Sequence, residues 1–165
     1  MDPVHASVTI DRPREEVFRY LADIANHAEF SDHYTSNWHL TRIDSVGRGA
    51  GARFRTGMPL QRFDWGDMTL VVVEPPNRIV ALGRMGKFNR IKTTAIWTLD
   101  EGRSGSTDVD YMFESEPVFP TDRIVEGLSG QRRWYKRKIR KALSRLQGIL
   151  EEDHDRGARV KVAGL

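Results

Sequence analysis

Hydrophobic and polar positions change their period along this chain, from helical to alternating and back. A short β-prone run, Ser7-Val8-Thr9-Ile10, is stopped by Asp11-Arg12-Pro13. Proline is tolerated in a first helical turn, and Glu15 and Glu16 follow where a helix dipole favours negative charge. Val17, Phe18, Tyr20 and Leu21 then supply an apolar stripe, which predicts a helix from about Pro13 to Ala22. Asn26 to Tyr34 reads as a second short helical turn and a loop.

Beyond that point the period becomes two. Trp38 to Ile43 is a predicted strand, closed by the turn Gly47-Arg48-Gly49-Ala50-Gly51. Ala52 to Thr56 alternates, with Phe54 directed away from Arg53 and Arg55. Met68 to Glu74 is a strand stopped by Pro75-Pro76-Asn77, and Arg78 to Met85, Ile91 to Leu99 and Thr107 to Ser115 are three more. Ala95, Trp97 and Leu99 share one side of the penultimate strand; Val109, Tyr111 and Phe113 share one side of the last.

Pro117 and Pro120 end the alternation. Ile124, Leu128, Tyr135, Ile139, Ala142, Leu143, Leu146 and Leu150 recur at helical spacing and predict one long apolar face. Gly127 and Gly130 predict a kink or break near its start. Asp153 to Leu165 loses periodicity and reads as a loose tail, which leaves 1–152 as one domain. The order is strand, two short helices, about six consecutive strands, one long helix. That is an α+β pattern: an antiparallel sheet of six to seven strands, curved around a helix that covers one face. A sheet of that width curls, and one helix leaves part of its concave side unfilled.

Composition narrows the picture. The 165 residues are 39% apolar and 30% charged, which suits a globular domain. No apolar stretch is long enough to cross a bilayer, and Met1 to His5 has no leader-like character, so a cytoplasmic address is expected. The absence of cysteine removes disulfides, thiolate nucleophiles and thiolate metal sites. The net charge of +3 is mild, but Arg132, Arg133, Lys136, Arg137, Lys138, Arg140, Lys141 and Arg145 crowd one helix with no acidic residue among them. Such a stripe is first of all a solvated helix face. It also suits an anionic membrane surface or acidic partner better than nucleic acid, for which no recognised motif is present.

Gly47-Arg48-Gly49-Ala50-Gly51-Ala52 has the letters of a dinucleotide fingerprint, but a strand follows it where that chemistry needs a helix N-terminus. It is a hairpin turn. His27, Asp32, His33 and His39 form the densest group of possible ligands or acid–base side chains, without a metal-site spacing, so no metal and no cofactor are expected. Asp32 and His33 are the acid–base candidates of that group; no catalytic residue is assigned. Gly127-Leu128-Ser129-Gly130 falls short of a nucleophile elbow, and Asp108 and Asp110 face away from Tyr111. The aromatics say more. Trp38, Phe54, Trp65, Trp97, Tyr111, Phe113 and Tyr135 are candidates for the concave side, with Leu128 from the helix, and Arg84 would pair with an anionic or carbonyl group if it faced inward.

Val8-Thr9-Ile10-Asp11-Arg12-Pro13-Arg14-Glu15-Glu16-Val17-Phe18-Arg19-Tyr20-Leu21-Ala22-Asp23, the Gly47-Arg48-Gly49 turn, Glu74-Pro75-Pro76-Asn77-Arg78 and the ending Leu143 to Glu151 together resemble the START-like, polyketide cyclase/dehydrase and lipid-transport superfamily. The resemblance implies a helix-grip fold of the birch-pollen-allergen type, and it carries no universal catalytic position. The leading expectation is binding or carriage of a small hydrophobic or amphipathic molecule between sheet and helix. The enzyme alternative is a polyketide cyclase or dehydratase that acts largely by holding its substrate in shape, with one acid–base group such as His33 or Tyr111. A third is an interaction module using the basic helix.

Overall fold

The computed structural model describes residues 1–58, 63–119 and 130–152. Strand β1 (Val4–Ile10) is followed by helix α1 (Arg14–Ala22), a 3₁₀ turn at Ile24–Asn26 and the short helix α2 (His27–Ser31). Six strands come next: β2 (Thr35–Leu40), β3 (Gly51–Thr56), β4 (Trp65–Glu74), β5 (Arg78–Met85), β6 (Ile91–Glu101) and β7 (Thr107–Pro117). Helix α3 spans Gln131–Glu152. The sheet is antiparallel throughout, in the order β1-β7-β6-β5-β4-β3-β2. Helices α1 and α2 therefore carry the chain from one edge of the sheet to the other.

Most boundaries follow the sequence, with local differences. Pro13 is extended (φ −60°, ψ 142°) and stands just before α1, where its carbonyl accepts from the Glu16 and Val17 amides. Strand β2 lies three residues earlier than the alternation predicts: Ile43 is 81% exposed and pairs with nothing in the sheet. The start of the long apolar face, including Ile124, Gly127 and Leu128, lies outside the described residues, as does the tail 153–165.

Helix α3 buries Tyr135, Ile139, Ala142, Leu143 and Leu146, as the stripe predicts, but closes with Ile149 where the spacing predicts Leu150; Leu150 is only partly buried. Its C-terminal end is tied to the β1–α1 connection, where Arg12 Nη2 donates to the Glu151 carbonyl (2.7 Å) and the Asp11 amide to Glu151 Oε1 (2.6 Å). Its middle is tied to the α2–β2 connection: Asp32 pairs with Arg145, and His33 Nε2 donates to the Lys138 carbonyl (3.1 Å). Toward the C-terminal end of α3 the interior is filled by Val17, Leu21, Ile79, Leu99, Val109, Leu146 and Ile149, each almost fully buried. Toward the N-terminal end the filling stops.

Candidate functional site

The floor of the sheet explains the gap. In register across β5 and β6, Ala81 faces Ala95 and Gly83 faces Thr93. These inward positions carry small side chains, and the space between them and Ile139, Ala142 and Leu143 of α3 is left open. A cavity of about 80 Å³ remains, closed at its sides by residues of α2, β2 and β3. That holds a few waters or one small ring, less than the 300 Å³ or so of a drug-sized pocket. A larger ligand has to push side chains aside, and Met68 and Met85 in the wall have the flexible stems for it.

The walls are aromatic. Trp38 stacks on Phe54 with centroids 4.5 Å apart and planes at 21°. Trp97 and Tyr111 are 4.1 Å apart, and Phe113 and Tyr135 4.8 Å. Phe30 meets Trp97 edge-on at 6.0 Å. Within this apolar box one buried polar atom has no hydrogen-bond partner among the described residues. Trp97 is 4% exposed and its Nε1–H finds no acceptor among the described residues. Tyr135 Oη is directed to Met85 Sδ at 3.8 Å. Burial pushes the Tyr34 phenol up to about 12. Tyr111 is pushed up by burial and further by the nearby phenols of Tyr34 and Tyr135. The Tyr34 and Tyr111 hydroxyls are therefore protonated donors at neutral pH. Because a buried N–H without an acceptor is costly, the Trp97 indole points to an acceptor that belongs to something else.

His27 also lines the cavity. Its Nε2 donates to the Leu21 carbonyl (2.8 Å), which fixes the tautomer and leaves Nδ1 as the ring's acceptor. Burial holds its pKa below the ordinary value, so the ring is neutral at pH 7.

Six of the residues singled out from sequence come together here: Trp38, Phe54, Trp97, Tyr111, Phe113 and Tyr135 all line the cavity. Trp65 does not. It pairs across from Arg55, so it shares the outer face with the arginines, with Arg53 and Arg55 over its ring and His39 against its edge. Arg84 faces outward too, although it is among the residues at the cavity wall: its register partners are Asp67 and Lys92, and it is exposed. Leu128 lies outside the described residues. The histidine–aspartate group is dispersed. Asp32 and His33 are spent on α3, His39 is on the outer face, and only His27 reaches the cavity. No metal-holding cluster occurs among the described residues. The residues that sequence reading missed are Phe30, Ser31, Tyr34 and Thr35, delivered by α2 and the turn after it. The signal that marks the void itself is Ala81, Gly83 and Ala95, small residues at inward positions of strands otherwise filled with large ones.

With this geometry in hand, the comparisons are coherent. The family model for polyketide cyclase / dehydrase and lipid transport matches residues 1–151. No curated protein matches the chain. Among solved structures, DynU16, a protein in the dynemicin biosynthetic locus, is similar at 20% identity and a TM-score of 0.63, over 95% of this chain and 50% of its own. The di-domain ARO/CYC BexL from the BE-7585A biosynthetic pathway is similar at 15% identity and a TM-score of 0.64, over 89% of this chain and 45% of its own. The chain thus spans about half of each. KanY is similar over 90% of this chain and 96% of its own, at 14% identity and a TM-score of 0.71. At these identities the likeness is one of fold.

Proposed function

The chain belongs to the polyketide cyclase / dehydrase and lipid transport family, and from that premise we propose that it binds one small, neutral, largely apolar molecule carrying an oxygen acceptor, in the cavity between β5–β6 and α3. One observation carries the reading: the buried Trp97 N–H has no acceptor among the described residues, inside an aromatic box. The box favours a flat, apolar body, because stacked and edge-on rings grip a ring system well. The donors Trp97 Nε1–H, Tyr111 Oη–H and Tyr34 Oη–H favour a carbonyl or hydroxyl on it. The charged residues at the wall, Asp67 and Arg84, belong to its outer side by register, which favours a neutral ligand over an ionised one. Titration with anthraquinone and with anthracene, read by quenching of tryptophan fluorescence, tests this. Saturable quenching is expected from both, tighter for the quinone. If neither quenches saturably, the reading is wrong.

A second reading, cyclisation or dehydration of such a molecule, is favoured by His27. A neutral ring with a fixed tautomer and an unprotonated Nδ1 is suited to taking a proton. Its test is His27→Gln, which should remove turnover of a polyketide-like substrate while leaving quinone uptake in place. Loss of uptake together with turnover would make His27 a structural residue.

A further inference from the structure

At the end of the fold where the cavity lies, three connections put aromatic side chains into solvent. Phe88, in the β5–β6 turn, is 86% exposed; Phe63, just before β4, is 44% and Phe119, just after β7, is 49%. The register brings them together: Gly66 pairs with Met85, and Ile91 with Pro117, so all three connections lie at the same end of the strands, along one rim of the sheet. Cations are placed on the rings. Lys87 Nζ lies 5.7 Å from the Phe63 centroid and 5.2 Å from that of Phe88, and the Arg90 guanidinium 5.3 Å from that of Phe119. The first turn of α3 adds exposed Arg132 and Arg133, with Arg132 beside Pro117 and Val118. Among the described acidic residues, Asp64 is held by Arg55 at 2.9 Å, and Glu116 stands in register with Lys92 on the outer sheet face. Asp2, Glu114 and Glu116 line the same depression as Arg132, so Lys87, Arg90 and Arg133 carry the positive charge furthest from them.

Phe88 is the telling residue. Its backbone is left-handed (φ 57°, ψ 27°), a conformation that costs a bulky side chain about 1–2 kcal/mol and that asparagine or glycine adopts readily. A phenylalanine there gains nothing from the fold, since its ring is almost wholly in water. Folding alone would favour another residue.

We propose that this rim docks on an anionic lipid surface, with Phe88, Phe63 and Phe119 entering the headgroup region and Lys87, Arg90, Arg132 and Arg133 meeting lipid phosphates. The arrangement favours a membrane over an acidic protein. A protein partner needs a complementary face of about 800 Å², whereas separate protruding tips flanked by cations need only a soft, negatively charged interface. Docking here would also set the cavity end of the fold against the source of an apolar ligand. The inference is independent of the ligand reading, because vesicle binding and quinone uptake are separate measurements and either can fail alone.

The test is co-sedimentation with phosphatidylcholine vesicles with and without phosphatidylglycerol, using wild type, Phe88→Asn and Lys87→Gln. Binding is expected only with the anionic lipid. Phe88→Asn should weaken it about tenfold, the effect of returning one buried phenyl ring to water, and Lys87→Gln about fivefold. Thermal stability of Phe88→Asn should equal or exceed wild type, since asparagine suits the backbone, so a folding defect cannot account for the loss. Binding that ignores Phe88, or equal retention on polyglutamate, would overturn the proposal in favour of plain charge attraction or an acidic protein. No binding to anionic vesicles would also overturn it.

Discussion

Trp38 donates its indole N–H to Thr35 Oγ1 at 2.9 Å, although three positions separate them on one strand. In a regular strand such residues point to opposite faces. Here Asn37 adopts a left-handed backbone (φ 52°) and the register slips between Ser36 and His39, so that one position is consumed and both side chains turn inward. The bulge thus delivers Trp38 to Phe54 and to the cavity. Asn37→Gly should leave stability unchanged, whereas Asn37→Val, β-branched in a left-handed position, should cost about 1–2 kcal/mol. Urea unfolding measures the cost. Tryptophan emission should also shift to the red as Trp38 loses its inward position.

Tyr111→Phe separates packing from recognition. Its ring lies on Trp97, and no hydroxyl partner occurs for it among the described residues. Removal of the oxygen should leave the melting temperature about unchanged, because a hydroxyl without a protein partner adds no hydrogen bond to the fold. Affinity for anthraquinone should fall about 3- to 10-fold, the worth of one hydrogen bond, while affinity for anthracene stays as it was. An equal loss for both probes would mean that the hydroxyl meets no ligand oxygen.

Two small residues in the cavity floor should respond in opposite ways. Ala95→Val adds two methyl groups into the void, so stability should hold or rise while uptake of either probe falls at least about tenfold. Gly83→Ala has no such room. Its Cβ would stand 2.1 Å from the Asp67 carbonyl oxygen and 2.7 Å from Thr93 Oγ1, and the carbonyl cannot retreat without parting β4 from β5. That variant should lose about 1–3 kcal/mol or more. Equilibrium unfolding of both, followed by probe titration, checks the contrast. A stable Gly83→Ala would mean that the sheet is not pinned there.

How much of this was legible follows from the same residues. Period two over Ile91–Leu99 and Thr107–Ser115, then the stripe from Tyr135 to Leu150, points to a sheet under a helix. Trp97, Tyr111 and Phe113 could be placed because their strands are long and regular. Trp65 could not, because the β4 signal begins at Met68 and Gly66 obscures the alternation before it; register with Arg55 decides its face. Arg84 sits on a strand where Ile79, Val80 and Ala81 are all buried, so periodicity gives no parity there. Tyr34 and Phe30 reach the cavity through the path of α2 across the sheet, a tertiary fact with no local pattern.

His27 makes the acid side of the stability profile predictable. Its ring is buried, its Nε2–H is given to Leu21, and burial lowers its pKa from the ordinary 6.5, with the Leu21 bond and the charge of Asp23 acting weakly the other way. An unfolded chain takes up a proton on this ring as pH falls below about 6.5, whereas the folded chain resists it, so acid favours the unfolded state. Stability should be full above pH 6.5 or so and decline below it, by at most about 1.4 kcal/mol per pH unit for one ring, until the folded pKa is reached. His33, lowered by burial and by Arg145, Lys138 and Lys141, acts in the same direction but more weakly, because it is half exposed. Urea unfolding at closely spaced pH values should show the decline in wild type and a flatter profile in His27→Gln, whose amide keeps a donor for Leu21 and does not titrate. If the two profiles are parallel through this range, His27 is not the group that takes up the proton, and the neutral ring on which the base role depends loses its support.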